Sequence, residues 1–283
     1  MNNENYDMVD YRIELAKFIS IVIVVILHLL VITQWFIEDN WFQTWPVVFA
    51  IGCFMYCSGY VHGLKNEFTK PSDVSPSKYF SFLKKRFTRL YIGYYIGLIL
   101  VLIVKLILSY PITITTWTIF LDITGFWPLI VGDMGGIWPY GWFVCSIFLL
   151  NIIYPFIKVM KRRYLALIIG LTVFLRIFVF LSAYPEPAYY FPFSWLTEFS
   201  VGILFGDNRR RQGKLSWKHS QFNIYVIKMG KRIWPLYLVH IPPILFLPLY
   251  PSLWECLIVI FIIAIMTEIL YHSLNKIYLK ILV

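Results

Sequence analysis

The chain has 283 residues and a formal net charge of +10, with 59% hydrophobic and only 14% charged residues. A soluble globular protein is about half apolar and about a quarter charged, so this composition excludes that class. The basic residues lie mostly in short loops between apolar segments, as membrane orientation requires, which argues against a nucleic-acid partner. The composition therefore predicts an all-α, polytopic protein embedded in a lipid bilayer.

About eight apolar segments, at about 20 residues each, are predicted to be membrane-spanning helices. In chain order they cover approximately residues 13–36, 45–64, 90–110, 140–160, 164–184, 194–206, 233–250 and 253–271. The sixth segment is short for a full crossing. Because these segments and their loops fill the chain, residues 1–283 are predicted to form one integral-membrane domain that carries the function itself.

The loops between the segments alternate in charge. Stretches rich in Lys and Arg follow the second, fourth, sixth and eighth segments, whereas the other loops contain few basic residues. The positive-inside rule therefore places both chain termini in the cytoplasm. Most tryptophans fall near the opposite ends of the segments, where an interfacial aromatic belt is expected.

The connection from Pro111 to Ile137 is apolar enough to be mistaken for a further span. Counting it as a span would move the basic loop after the fourth segment outside and break the alternation of charge. Gly125, Pro128 and three further glycines interrupt a regular helix here. We therefore expect an interfacial or re-entrant piece on the outer face that can roof a cavity.

The chain has no P-loop, Rossmann, zinc-hydrolase or nucleophile-elbow motif. Its four cysteines lack the spacing of metal ligands, so no metal site is predicted. The chemistry must then come from isolated polar groups inside the segments. The candidates are His28, Ser58, Arg176, Glu198, Tyr237, His240, Glu268 and His272.

The first segment, YRIELAKFISIVIVVILHLL, carries the most informative of these groups. Lys17 stands near its start and His28 lies deep inside it, so the two share nearly one helix face with about 16 Å of rise between them. An ionisable residue inside a membrane segment marks a functional site by default. The alternative is a lysine that anchors the helix end and a histidine satisfied by a neighbouring helix.

Two further groups leave alternatives open. Arg176 lies in the middle of a span, where an unpaired guanidinium would cost at least about 2.5 kcal/mol, and Glu198 is one possible partner. Their pair would serve either as a structural lock between helices or as a substrate contact. His240, which shares a helix face with Tyr237, either bonds a carbonyl freed by the prolines that follow it or contacts a substrate.

Glu268 and His272 are expected to form a solvated pair at a helix end.

Segments of this chain resemble, in the same order, the bacterial integral-membrane acyltransferases called acyltransferase family 3. YRIELAKFISIVIVVILH resembles the family's first helix, in which an acidic residue stands three before a basic one and a histidine follows eleven later. The corresponding residues are Glu14, Lys17 and His28. FAIGCFMYCSGYVHG resembles the phenylalanine-rich second helix that ends in Ser-Gly, with Ser58 and Gly59.

The resemblance continues through the rest of the chain. LKKRFTRLYIGYYI is similar to the basic entry of the family's third helix and supplies Arg86 and Arg89. GWFVCSIFLLNIIYPFI resembles its Trp-Phe helix, represented here by Trp142. RIWPLYLVHIPP resembles its late Tyr-Leu-x-His segment, with Tyr237 and His240.

The resemblance implies transfer of an acyl group, most often acetyl, from cytoplasmic acyl-coenzyme A to a hydroxyl of a cell-surface polysaccharide or lipid-linked sugar. Acyl-coenzyme A is then a co-substrate, no cofactor is bound, and the protein is a multi-pass protein of the cell membrane. The family usually has ten helices, where about eight are predicted here. It also more often has arginine at the position of Lys17.

Roles for individual residues follow from the same resemblance. His28 is implied as the general base, with Lys17 and Glu14 completing the catalytic set. Lys17, Arg86 and Arg89 are implied to bind the phosphates of coenzyme A, which cationic side chains suit. The residues implied to contact the substrate are Ser58, Trp142, Arg176, Glu198, Tyr237 and His240.

Two other classes of protein remain as alternatives. A proton-coupled exporter of a glycan or lipid would line its path with intramembrane polar groups such as His28, Arg176, Glu198 and His240. Transporters often contain paired halves with broken helices, and no such pairing is evident in the sequence. The third class is a membrane scaffold without catalytic activity.

Overall fold

The computed structural model describes residues 10–33, 41–110, 115–126, 137, 141–180, 192–213 and 220–281. Within these residues every regular element is helical, mostly α with short 3-10 turns. The all-α, polytopic helical architecture predicted from the composition is thereby confirmed. The α-helices are α1 (Tyr11–Ile32), α2 (Trp41–Leu64), α3 (Pro76–Ile107), α4 (Thr116–Thr124), α5 (Trp142–Val159), α6 (Arg162–Phe180), α7 (Leu196–Arg211), α8 (Gln221–Gly230), α9 (Ile233–Val239), α10 (Ile241–Ile244) and α11 (Leu253–Ile281).

In the described part of the chain, five helices are long and apolar enough to cross a membrane: α1, Pro46–Leu64 of α2, α3, α5 and α11. They correspond to the first four and the last of the predicted spans. The predicted fifth span is α6, and the predicted sixth is α7, whose 16 residues confirm that it is short. The predicted seventh span corresponds to α9 and α10, which meet at His240. Its helical residues end at Ile244.

Several helices extend well past the predicted ends of the apolar segments. The basic stretch KKRFTR precedes the start of the third predicted span at residue 90, but it is helical because α3 begins at Pro76. Likewise α7 continues to Arg211 and α11 to Ile281. Lys and Arg are good helix formers, so basic residues end the apolar stretch without ending the helix. Proline at the first turn gives α3 its start, because the missing N–H would have no helical partner there.

The chain divides into two compact units, Met1–Cys57 with Asp207–Val283 (unit 1) and Ser58–Gly206 (unit 2). In unit 1, α1 packs against α8, α9 and α10, and α11 packs against α9 and α10. Asp10 caps α1, because its side chain accepts a hydrogen bond from the Arg12 backbone N–H at 3.1 Å. An apolar cluster centred on Ile244 joins α10 to α11.

Unit 2 contains the short helix α4, which lies in the connection predicted to be interfacial or re-entrant. Nine residues give about 13 Å of rise, so α4 is too short to span a bilayer. The hydroxyl of Tyr91 donates to the Thr124 carbonyl at 3.0 Å, and the Tyr94 hydroxyl donates to the Asp122 carbonyl. These bonds hold α4 against α3. The helix ends at Gly125, whose φ of 75° is left-handed, as expected for a glycine that interrupts the helix. Pro128 and the remaining predicted helix breakers lie outside the described residues.

Helices α2 and α7 approach each other at small residues of unit 2. A Cβ built on Gly59 would meet the backbone carbonyl of Phe199, and one built on Gly206 would meet the backbone of Tyr60 and Gly63. Glycines at a contact between helices let two membrane helices pack backbone against backbone. A side-chain rotation could not relieve either clash, because the atoms nearest to each added Cβ belong to the main chain.

We therefore predict that Gly59→Ala destabilises the protein. Overpacking of this kind costs about 1–3 kcal/mol, so the midpoint of thermal unfolding in detergent should fall. Gly170→Ala in α6 is the matched control, because a Cβ there meets nothing within 4 Å. Equal unfolding midpoints for the two variants would contradict the close approach of α2 and α7.

Candidate functional site

The two intramembrane histidines singled out from the sequence contact each other in unit 1. His28 Nδ1 lies 2.8 Å from His240 Nε2. The imidazole centroids are 5.0 Å apart and the ring planes differ by only 8°. Because the nearest nitrogens are much closer than the centroids, these nearly parallel rings meet edge to edge. The structure thus joins two residues that are far apart in the sequence.

His240, at the junction of α9 and α10, contacts His28 of α1. His240 lies between the two helices, and Pro242 and Pro243 occupy the first turn of α10. Its side chain is fully buried, at 0% exposure, whereas His28 is partly exposed. His240 Nδ1 lies 2.7 Å from the carbonyl oxygen of Tyr237. The predicted carbonyl partner is therefore present, but the prediction that a proline frees it is wrong in detail, since the helical partner of Tyr237 would be Ile241.

An ion pair lies in the first two turns of α1. Lys17 Nζ lies 2.5 Å from Glu14 Oε1, and the two side chains are only 17% and 14% exposed. A Cβ on Gly230 of α8 would meet the Glu14 carboxylate, so α8 packs closely over this pair. An ammonium has three N–H donors, and the ion pair uses one of them. Lys17 can therefore share its charge between Glu14 and an anionic ligand.

The other predicted phosphate ligands lie on α3 in unit 2. Arg86 and Arg89 are one helical turn apart and hence on the same side of the helix. The Arg86 guanidinium lies 5.1 Å from the centroid of the Phe82 ring, and Arg86 is partly buried while Arg89 is exposed. An aromatic ring beneath a guanidinium holds its plane while leaving N–H donors at its edge.

His62, near the end of α2, is a buried histidine that the sequence did not indicate as a candidate. Its ring is buried and lies 4.3 Å from the Tyr154 ring, between centroids, and the Tyr154 hydroxyl donates to the His62 carbonyl at 3.1 Å. Lys158 Nζ donates to the carbonyl of Gly63 at 2.6 Å. The available signal was that His62 follows Ser58 by one helical turn in a segment already singled out.

Arg176 and Glu198 form the ion pair that was proposed from the sequence. The guanidinium donates to both carboxylate oxygens, with Arg176 Nη2 2.8 Å from Glu198 Oε2. The guanidinium carbon also lies 5.3 Å from the centroid of the Trp195 ring. Beside the pair, the hydroxyls of Thr172 and Thr197 are 2.6 Å apart. This bidentate geometry favours the structural alternative, because each charge is already matched within unit 2.

The remaining predicted residues differ in accessibility. Trp142 and Tyr237 are buried in the helical packing, and Tyr237 stacks on Trp234 with 5.6 Å between centroids. Ser58 is partly buried beside Gly59. Their proposed contacts with substrate stay predictions.

The predicted helix-end pair of α11 has an additional partner. Glu268 accepts hydrogen bonds from Arg232 through both carboxylate oxygens, and His272 Nε2 lies 3.8 Å from Glu268. The guanidinium of Arg232 lies 4.7 Å from the centroid of the Tyr271 ring. This cluster ties the start of α9 to α11.

Comparison with known families gives one informative result. A family model described as an acyltransferase domain matches residues 10–282, which is nearly the whole chain. Comparison with curated proteins and with solved structures yields no match. Among the described residues, no three His, Cys, Asp or Glu side chains are grouped to hold a metal ion.

The Arg176–Glu198 pair generates a prediction that separates its two possible roles. Arg176→Leu or Glu198→Leu alone should lower the free energy of unfolding by about 3–5 kcal/mol, because each leaves an uncompensated charge. The double variant should recover much of that loss. Thermal unfolding in detergent measures the stability of all three variants. A stable single variant with a raised Michaelis constant for the acceptor would instead identify a substrate contact.

Proposed function

The chain belongs to acyltransferase family 3, and from that premise we propose that it transfers an acyl group, acetyl in the simplest case, from acyl-coenzyme A to a sugar hydroxyl. The acceptor in this proposal is a cell-surface polysaccharide or a lipid-linked sugar. The observation that carries the proposal is the partly exposed His28, held at 2.8 Å by the buried His240 inside a membrane helix. His28 is the general base.

The proposed reaction is a direct transfer. His28 takes the proton of the acceptor hydroxyl while the hydroxyl oxygen attacks the thioester carbonyl carbon. The new C–O bond forms, the C–S bond breaks, and the departing thiolate receives the proton from the imidazolium. The products are an acylated sugar and free coenzyme A, and His28 returns to its neutral form. A neutral imidazole suits this task because its unprotonated ring nitrogen can accept the proton of a hydroxyl.

Cationic side chains support the assignment of coenzyme A as the donor. Coenzyme A carries phosphate groups, and Arg86 and Arg89 offer guanidinium groups that bind phosphate through paired N–H donors. Lys17 adds a point charge at the start of α1. By the positive-inside rule these residues lie at the cytoplasmic ends of their helices, where acyl-coenzyme A is available.

The acceptor is proposed to approach from the other side of the membrane. His28 lies about 16 Å further along α1 than Lys17, towards the outer surface in the predicted topology. An extended pantetheine arm can bridge this separation, so a donor bound at the cytoplasmic end can present its thioester at His28. The protein in this proposal is an enzyme of the cell membrane that modifies glycans at or beyond the bilayer midplane.

We predict that His28→Ala reduces acyl transfer by about a hundredfold or more, the range expected when a general base is removed. The assay measures transfer of label from acetyl-coenzyme A, carrying ¹⁴C in its acetyl group, to surface polysaccharide extracted from the native cells. His272→Ala is the matched control, because His272 is an exposed histidine on α11. Near wild-type turnover by His28→Ala in a folded protein would refute the assignment of the base.

A second prediction concerns the donor site. Arg89→Gln should raise the Michaelis constant for acetyl-coenzyme A about tenfold or more, because a charge-assisted hydrogen bond contributes about 1.5–3 kcal/mol. Arg89 gives a cleaner test than Lys17, whose removal would leave the largely buried Glu14 without its cation. The control is Arg163→Gln, an exposed arginine that contacts Tyr164 on α6. A change confined to the acceptor constant would show that Arg89 does not bind the donor.

A further inference from the structure

The contacts behind His28 determine where its proton lies. A backbone carbonyl only accepts hydrogen bonds, so the nitrogen that lies 2.7 Å from the Tyr237 oxygen, His240 Nδ1, must carry a hydrogen. A neutral imidazole has one N–H donor and one acceptor nitrogen. His240 Nε2 is then the acceptor. Because it faces His28 Nδ1 at 2.8 Å, that nitrogen must carry the hydrogen of His28.

The neutral form of His240 is the one that the surroundings favour. Its side chain is fully buried, and burial disfavours the charged imidazolium relative to the neutral ring. Its hydrogen-bonding neighbours, the Tyr237 carbonyl and the His28 ring, are both neutral groups. The chain of hydrogen bonds from His28 through His240 to the Tyr237 carbonyl is therefore consistent with one arrangement of protons, with hydrogen on Nδ1 of both rings.

Ring geometry strengthens this arrangement. With 8° between their planes and their nitrogens facing each other, the two imidazoles are nearly coplanar. An imidazole N–H and an imidazole lone pair both lie in the plane of the ring, so this contact gives a well-aligned hydrogen bond. Alignment of this kind restricts rotation of the His28 ring as well as its tautomer.

We propose that His240 is a positioning residue that holds His28 in the tautomer with hydrogen on Nδ1 and the lone pair on Nε2. This inference rests on the proposed role of His28 as general base and specifies the basic atom as Nε2. When His28 Nε2 takes the acceptor proton, the Nδ1–H that already donates to His240 becomes a charge-assisted donor, and its hydrogen bond strengthens. His240 gains and loses no proton. It orients the base as the third group of a nucleophile–base–orienter set does, but without a negative charge.

The proton positions can be measured without an activity assay. Solid-state ¹⁵N NMR distinguishes protonated from unprotonated ring nitrogens, and the full chain contains only five histidines. The chain is labelled with ¹⁵N in its histidine rings and reconstituted in lipid bilayers, and single-histidine substitutions assign the signals. We expect Nδ1 to be protonated and Nε2 unprotonated in both His28 and His240. A protonated Nε2 on neutral His28, or on neutral His240, would overturn the proposal.

Kinetics supply the second arm of the test. His240→Leu removes the acceptor and should lower kcat by about tenfold to a hundredfold, by analogy with the loss when the hydrogen-bond partner of a metal-ligating histidine is removed. His240→Gln restores an acceptor oxygen near the position of Nε2 and should regain most of that activity. The Michaelis constant for acetyl-coenzyme A should change little in both variants, because a positioning residue does not touch the donor. Equal kcat values for the two variants would overturn the role of the acceptor.

Failure of this inference can be told apart from failure of the proposed function. If His28→Ala is inactive but neutral His28 carries its hydrogen on Nε2, His28 remains the base and only the role of His240 is wrong. If His28→Ala retains turnover, the assignment of the base fails whatever the NMR spectra show. The protonation states are read from the unmodified chain, and substitution of the other four histidines leaves the His240 signals assigned, so the NMR measurement remains valid if His240→Leu does not fold.

Discussion

A polar group inside a membrane must find its hydrogen-bond partner within the protein, and this constraint decides the arrangement of the side chains described here. Ser20 donates to the Ala16 carbonyl at 2.8 Å, and Thr267 donates to the Ile263 carbonyl at 2.7 Å, so each hydroxyl is satisfied by its own helix. An ionised side chain also needs an opposite charge, which a backbone carbonyl of its helix does not supply. Glu14 with Lys17, and Arg176 with Glu198, meet the same constraint as ion pairs.

His28 meets the constraint in a third way, through a neutral partner that is itself anchored on a backbone carbonyl. A carboxylate in place of His240 would also accept from Nδ1, but it would bring a buried negative charge that needs its own compensation. His240 keeps helical dihedral angles at the junction of α9 and α10, and Pro242 and Pro243 follow it in the first turn of α10.

Hydropathy predicted which stretches of the chain are buried in the membrane, but it did not predict where the helices end. The basic run before Leu90 is part of α3, since Lys and Arg favour helix and the helix starts only at Pro76. His28 and His240 were each singled out as intramembrane ionisable residues, yet nothing in a periodic pattern links positions 212 residues apart. The Arg176–Glu198 pair was predictable, because opposite charges inside neighbouring spans have few other ways to be neutralised.

The geometry of α1 connects the donor and the base of the proposed reaction. Lys17 and His28 lie on nearly one face, about 16 Å apart along a single helix, so their separation is fixed by the backbone and not by the packing of neighbours. A donor held by its phosphates at the basic end must reach the base with its flexible arm, which selects a long carrier over a free acyl group. Because Glu14 neutralises Lys17 and α8 covers the pair, the ammonium is held in place along α1. The tautomer of His28 then decides which nitrogen the acceptor hydroxyl must approach, so the same helix sets both the reach of the donor and the direction of proton transfer.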